Sequence, residues 1–557
     1  MLGVAALALL AACAPPPAAT SNAAQPVTPG QPRGTLKLAW AREPETLSPK
    51  FLAGGGAGEY TWMFSSALAI QDLEGTSHPM LARELPSQEN RGWVVNPDGS
   101  MVTTYLLREN ARWHDGAPIT AADYAFAYRV YTDPAMPVGV RAPESLMTSV
   151  ETRGDYTLVI NWKASYLSAN ALGYRQLHPL PSHLLAEKYR TDHDRFADGE
   201  EWNYAFVGSG PFKVESWEPG TRMVARAHRD FFLGSPKIDT IEIRFISDPN
   251  TILANLLAGE IDMTTSQGVG PAQAVVAVDR WVSRGEGYMT TWSTRVNYLN
   301  FQFREVPNWQ RAISDVRVRQ ALIYAIDRPA LADVMTQGLG RAADAYVGPS
   351  ESVFADVDRS ITKYPYDPSR AAALFSDAGW RRAGATGALT NAAGQFFDLE
   401  VQGGTEAPLI IADNWKVAGL NSTPFEVPRA RVSDDEFVNS FPGTQLQGNT
   451  INQEELSIVS SKLPTAELNW KGSNRGSFVD AEVDRLHRII VTSLSERDRR
   501  EAAVAVHKRI SELVPFQPLY YSVDFVLAKN KVKGPFGVPA GIQSGVTRNV
   551  WEWEVTE

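Results

Sequence analysis

Catalysis or metal binding would require nucleophiles, bases or ligands at set spacings, and the eight histidines are the first place to look: His78, His114, His178, His183, His193, His228, His487 and His507. None stands in an HExxH pair, so zincin-type hydrolysis has no support. His178 and His183 are close in sequence, but Pro179 and Pro181 interrupt any shared helical face. The single cysteine, Cys13, can form neither an intramolecular disulfide nor, alone, a thiolate zinc site. The chain has no GxSxG elbow and no GxxxxGK[ST] phosphate loop. Gly54-Gly-Gly-Ala-Gly58 lacks the GxGxxG spacing. Pairs such as Asp434-Asp435 and Glu454-Glu455 read as solvated faces, and nothing selects one of them for glycosidase chemistry. A protein that binds without catalysis, metal or cofactor is therefore expected, with an envelope hydrolase as the alternative. Fifteen tryptophans suit either a large core or a cleft that grips amphipathic solutes.

These residues belong to a chain of 557, with 44% hydrophobic and 21% charged side chains. That is enough apolar surface for a large core in roughly three or four domains. The 53 basic and 63 acidic residues leave a net charge of −10, which argues against nucleic acid as a partner. Met1 to Ala12 is an apolar and small-residue run, too short to span a bilayer and closer to the core of a signal peptide. Leu10-Ala11-Ala12-Cys13 resembles the lipobox of bacterial lipoproteins, in which the cysteine after the cleavage point is acylated. Residues 13–33, rich in Pro, Ala, Ser and Gln, read as a disordered tether. A soluble body anchored to the cell envelope by lipid is expected.

Along the body, strand and helix signals are intermixed. Gly34 to Trp40 alternates Leu36, Leu38 and Trp40. Val102 to Leu107, Thr157 to Trp162 and Ile238 to Ile246 are further strand candidates. Thr120-Ala-Ala-Asp123 opens a helix as a capping box. Asp315 and Ser495 are placed to cap two others. The fold class is mixed α/β.

Four segments occur together in this order: Leu107-Arg-Glu-Asn-Ala-Arg-Trp-His-Asp-Gly-Ala-Pro-Ile-Thr-Ala-Ala-Asp123; Val207-Gly-Ser-Gly-Pro-Phe-Lys213 with Arg229-Asp-Phe-Phe232; Val318-Arg-Gln-Ala-Leu-Ile-Tyr-Ala-Ile-Asp-Arg328; and Asn474-Arg-Gly-Ser-Phe-Val-Asp-Ala-Glu-Val-Asp484. Together they resemble the signatures of the family-5, peptide/nickel-type extracellular solute-binding proteins of ABC importers. Read from the residues alone, Trp113 to Gly116 is a turn. Gly208 to Pro211 is either a point of re-entry into a domain or a cleft lining. Asp327-Arg328 is a helix end with solvated or internally paired charges.

The resemblance implies a bilobal, periplasmic-binding-protein-like clamp of type II in its large three-domain form. Lobe one would comprise 34–77, 204–296 and 524–557, an inserted domain 78–203, and lobe two 297–523. Hinge crossings are expected near Arg295 to Phe303 and Tyr520 to Leu527. It further implies a monomeric receptor that passes a peptide or similar small-molecule solute to a permease and its ATPase subunits. By position, the ligand-facing candidates are Ala53, Gly54, Gly55 and Gly56 in lobe one, Gln445, Gln447, Gly448 and Asn449 in lobe two, Tyr521 beside the second crossing, and Trp470 for stacking. Known peptide binders of the family carry an acidic D[YW].[DE]P stretch that holds the ligand's ammonium. Here Phe441 to Thr450 offers amides and no acid. A buried ammonium without a carboxylate would cost several kcal/mol. The expected ligand is thus a peptide gripped through its backbone or an uncharged solute such as an oligosaccharide.

Overall fold

The computed structural model describes residues 34–51, 57–73, 75–138, 141–173, 175–383, 387–404, 406–450, 456–534, 536–537 and 545–556. Cys13 and the expected leader and tether lie outside the described residues, as do Ala53, Gly54, Gly55 and Gly56. No helix among the described residues is long and apolar enough to cross a membrane.

Two strands organise the molecule. Gly287–Phe301 has 15 residues and Phe516–Lys529 has 14, about three times the usual strand length. They pair antiparallel from Gly287↔Lys529 to Asn300↔Phe516. At one end Ala528 continues to Met263–Thr264, then Thr35–Trp40, Thr240–Phe245, Arg222–Ala227 and Phe212–Glu218. At the other end Arg295 to Phe301 pair with Thr444–Thr450, which leads to Asp398–Gly403 and Asn421–Glu426. One continuous sheet thus serves two lobes, and the antiparallel pair is the link between them. The register slips between Ser293 and Arg295, opposite Val523 and Ser522. A second slip follows between Asn297 and Tyr298, and irregularities of this kind bend and twist the ladder locally.

Each lobe has its own core. Leu36, Leu38, Ile241, Ile243, Met223 and Ala225 alternate inward in lobe one, as the period-two pattern predicts. In lobe two, Leu299, Phe301, Leu399 and Val401 pack beneath Trp415 and Phe375 on one face of the sheet. Val296, Tyr298, Phe516 and Tyr521 pack on the other, under Val483, Val506 and Ile510. A separate four-stranded sheet, ordered Trp93–Val95, Met101–Leu106, Thr157–Trp162 and Met147–Thr152, forms around a third core with Trp113, Tyr124, Tyr131 and Trp162.

Local signals locate the helices. Thr120 opens Ala121–Thr132, and Asp123 Oδ2 accepts from the Thr120 N–H at 2.8 Å. Asp315 caps Val316–Tyr324 and Ser495 caps Glu496–Leu513. Gly208-Ser-Gly-Pro211 is the re-entry from the four-stranded unit into lobe one. A Cβ on Gly208 would sit 2.0 Å from the Phe64 carbonyl oxygen, and one on Gly210 would sit 2.5 Å from the Phe64 carbonyl carbon. Asp327 does not end a helix but caps the next one, Arg328–Thr336. Arg328 is buried and donates to the carbonyls of Ala343 at 2.5 Å and Tyr364 at 2.6 Å and to Asp344 Oδ1 at 2.8 Å. Its charge is internally paired rather than solvated.

Candidate ligand-binding wall

Thr444–Thr450 is held on one side by Arg295 to Phe301 along its whole length. On the other side, Asp398–Gly403 pairs with it only at Thr444 and Gln445. From Leu446 to Thr450, that second edge carries no strand among the described residues. Backbone groups on such an edge can accept an extended ligand as an added strand. The edge lies on lobe two beside the register slips of the long pair.

Gln445, Gln447 and Asn449 alternate along this strand, so their side chains share one sheet face with Tyr298 and Asn300 opposite them. Gln445 is buried, and its Nε2 donates to Gln402 Oε1 at 2.6 Å and to the Val438 carbonyl at 2.8 Å. It supports the wall rather than reaching out of it. Asn449 Nδ2 donates to the hydroxyls of Tyr298 at 2.9 Å and Tyr346 at 2.8 Å. The Gln447 amide presents its oxygen to Arg475, because a guanidinium can only donate. In that orientation Oε1 accepts from Arg475 Nε at 2.6 Å and Nη1 at 3.0 Å, while Nε2 donates to Tyr298 Oη at 2.9 Å. Ser457 and Tyr346 also bond to Tyr298, and burial pushes the Tyr298 phenol well above its ordinary value. Burial likewise lowers the Arg475 guanidinium from its ordinary value, partly offset by Tyr298 and Asp435.

Gly448 faces the opposite way. Its carbonyl accepts from Arg295 Nη2 at 2.8 Å, and a Cβ there would lie 2.7 Å from Asn297 Oδ1. A side chain there would require the Asn297 amide to shift. Tyr521 is 2% exposed, and its hydroxyl is shared between the carbonyls of Ala345 and Val347, both at 2.8 Å. Its ring belongs to the core that contains Val296, Tyr298 and Phe516. Trp470, in the left-handed region at φ 59, is already stacked by the Arg304 guanidinium, 4.8 Å from its ring centroid. The four lobe-two positions therefore come together, while Tyr521 and Trp470 serve packing in this conformation. A small pocket lined by Trp113, Leu180, Leu184, Trp202 and Phe206 lies among the residues of the four-stranded unit and includes none of these amides. No group of three His, Cys, Asp or Glu able to hold a metal occurs among the described residues.

Tyr298, Tyr346, Asn300 and Arg475 were not legible as site candidates. The amides between Gln445 and Asn449 were a usable signal for the strand itself, but a half-buried arginine in a loop has no local signature.

The family of bacterial extracellular solute-binding proteins, family 5, matches residues 79–452. A Brucella melitensis protein provisionally named an ABC transporter peptide-binding protein is 27% identical over 550 residues, covering 95% of each chain. Heme-binding protein A of Haemophilus influenzae is 25% identical over 577 residues, covering 96% of each. The structure of the oligopeptide-binding protein AppA from Bacillus subtilis in complex with a nonapeptide superposes with a TM-score of 0.69 at 21% identity, over 95% of this chain and 100% of that one. That likeness bears out the expected periplasmic-binding-protein fold. The chain belongs to the family-5 bacterial extracellular solute-binding proteins.

Proposed function

We propose that the protein is the receptor of an ABC importer, capturing a peptide between its two lobes and delivering it to a membrane permease without altering it. The observation that carries this reading is the open edge of Thr444–Thr450 beside the bulged pair of strands joining the lobes. Closure about that bulge would enclose an extended ligand laid along the edge, with lobe one as 34–77, 204–296 and 524–557, lobe two as 297–523 and 78–203 inserted. The relatives' names, which include both peptide and haem binding, support a receptor and leave its cargo to measurement. The amide ladder also suits neutral hydroxyl groups, which favours an oligosaccharide as the second reading.

A thermal-shift panel of mixed tri- to hexapeptides against malto- and cello-oligosaccharides separates the two. A ligand at 100 times its Kd stabilises by about 2.7 kcal/mol. A raised midpoint with peptides is expected. A shift with sugars alone favours the second reading, and no shift with either class removes both.

The same proposal places the mature chain, as a monomer, on the outer face of a membrane through acyl groups on Cys13, with 13–33 as tether. Each buried methylene contributes about 0.8 kcal/mol, so two or three chains would hold it firmly. In cells fed labelled palmitate, label should enter the protein and be lost in Cys13→Ser, which should be released in soluble form. A Cys13→Ser protein that stays in the membrane fraction rejects the anchor.

A further inference from the structure

The segment Asn474-Arg-Gly-Ser-Phe-Val-Asp480 has a structural duty at nearly every polar or small position. The Asn474 side chain donates to the carbonyls of Val459 and Phe478 and accepts from the Phe478 N–H, closing the turn. Gly476 lies so close to the first crossing strand that a Cβ would come 2.4 Å from the Phe301 carbonyl oxygen, and the Gly476 carbonyl accepts from the Phe303 N–H at 2.8 Å. Asp480 caps Ala481–Thr492 and binds Arg509. Two positions stand apart: the Ser477 hydroxyl is buried without a hydrogen-bond partner among the described residues, and Arg475 is the one charged side chain of the segment with no opposite charge beside it. Its backbone is pinned to the lobe-two sheet, its Nε and Nη1 donate to Gln447, and no carboxylate among the described residues pairs with it.

A guanidinium carries five N–H donors in a planar fork. Gln447 uses two of them, which leaves the Nη2 end and one Nη1 proton without an acceptor among the described residues. The surroundings are tyrosine hydroxyls and amides, with Asp435 acting only at a distance. Arg475 is half-buried, and withdrawing part of a cation from water without a counter-charge is costly unless a ligand brings one. Arginine is also the residue whose geometry matches a carboxylate bidentately. Gln447, which orients the fork, belongs to the wall strand whose other edge is open.

We infer that Arg475 is a recognition site for a carboxylate of the ligand, so that the solute is an anion at the lobe-two end rather than a fully uncharged one. This rests on the peptide-receptor reading and names the group by which that site selects. A peptide offers two sources of carboxylate, its C-terminus and acidic side chains.

The test uses the full chain and three synthetic pools of tri- to hexapeptides: free acids lacking Asp and Glu, the same sequences amidated at the C-terminus, and amidated sequences containing Glu. Isothermal titration of the wild type should show at least tenfold tighter binding of the first or the third pool than of the second, and which of the two wins identifies the source. Arg475→Gln should reduce that preference to less than twofold. Arg475→Lys, which keeps the charge without the fork, should retain a weakened preference and keeps the test valid if the glutamine variant misfolds. Equal binding of all three pools by the wild type, or an undiminished preference in a folded Arg475→Gln, overturns the carboxylate site while leaving a peptide receptor. Binding of none of the pools overturns both.

Discussion

Lys50→Met should destabilise the protein by about 3–5 kcal/mol, the cost of leaving a buried carboxylate without its counter-ion. Lys50 is 1% exposed and Glu144 0%. Lys50 Nζ lies 2.8 Å from Glu144 Oε2 and donates to the Arg175 carbonyl at 2.9 Å. The other carboxylate oxygen of Glu144 accepts from the Leu177 N–H at 2.7 Å. Burial lowers the lysine's pKa from its ordinary value, and the attraction of Glu144 opposes that without cancelling it. A pair in this balance adds little by existing but costs much when halved. Lys50→Met with Glu144→Gln should therefore recover most of the loss, because glutamine can still accept from Leu177 and carries no charge to strand. Urea unfolding of the single and double variants checks this, with hydrogen exchange at the Leu177 amide as the local reading. A single variant within about 1 kcal/mol of wild type, or a double variant no better than the single, defeats the argument. The pair also ties the segment that ends at Phe51 to Glu144, next to the four-stranded sheet.

What could be read from the sequence follows from the range of the forces involved. Asp315 and Ser495 were legible because a cap accepts from an N–H only two or three residues away, and Thr120 because Asp123, three residues on, reaches back to accept from its N–H. Leu36, Leu38 and Ile241, Ile243 were legible because a half-buried strand alternates. The pairing of the two long strands was not, since Gly287↔Lys529 joins residues far apart in the chain and nothing local encodes register. Tyr521 shows the same limit at one residue. Being in an extended segment beside a crossing could not decide which way its ring would point, and it is directed into the core that contains Val296 and Phe516. Gln445, Gln447 and Asn449 were identifiable as amides in a stretch without acids, and their shared face became visible only with the strand pairing. Their division of labour was not, because it depends on Gln402, Tyr346 and Arg475, each brought in by a different part of the chain.

If the wall strand receives the solute as proposed, that division of labour limits the cargo. With Gln445 occupied by Gln402 and Val438, and Asn449 by two phenols, the groups left to meet a solute are the open backbone edge and the outer fork of Arg475. A backbone edge is indifferent to side chains, whereas a guanidinium is not indifferent to charge. Together they predict breadth in sequence with selectivity at a single charged end.

Acid should weaken the junction between lobe one and the four-stranded unit about twice as much as it weakens lobe two. His114 Nε2 and His228 Nδ1 both donate to the Gly210 carbonyl, at 3.1 and 3.2 Å, while His114 Nδ1 accepts from the Gly208 N–H at 3.1 Å. His178 Nδ1 donates to the Ser66 carbonyl at 3.1 Å and its Nε2 accepts from the Arg175 N–H at 3.2 Å. Each ring nitrogen that accepts has no room for a second proton. Burial pulls the pKa of His114 down to about 3, helped by His228 and Lys213 and opposed by Gly210 and Asp115. Burial, with Lys50 and Arg175 nearby, takes His178 to about 3. In lobe two, burial takes His507 to about 4. Unfolding returns these groups to about 6.5, so below that pH the unfolded chain binds the extra protons and stability rises with pH. The stabilisation is fully present above about pH 6.5 and is lost as pH falls toward 3 or 4. From pH 7 to pH 5 each histidine forfeits about 2 kcal/mol. The junction should therefore lose about 4 kcal/mol through His114 and His178, and lobe two about half of that through His507. Urea midpoints at pH 7, 6 and 5, followed by hydrogen exchange at Gly208 and at Val514, measure the two regions separately. His178→Gln should halve the pH slope at the junction whatever it does to stability at pH 7. A junction as stable at pH 5 as at pH 7 would mean that these rings do not stay neutral in the folded protein.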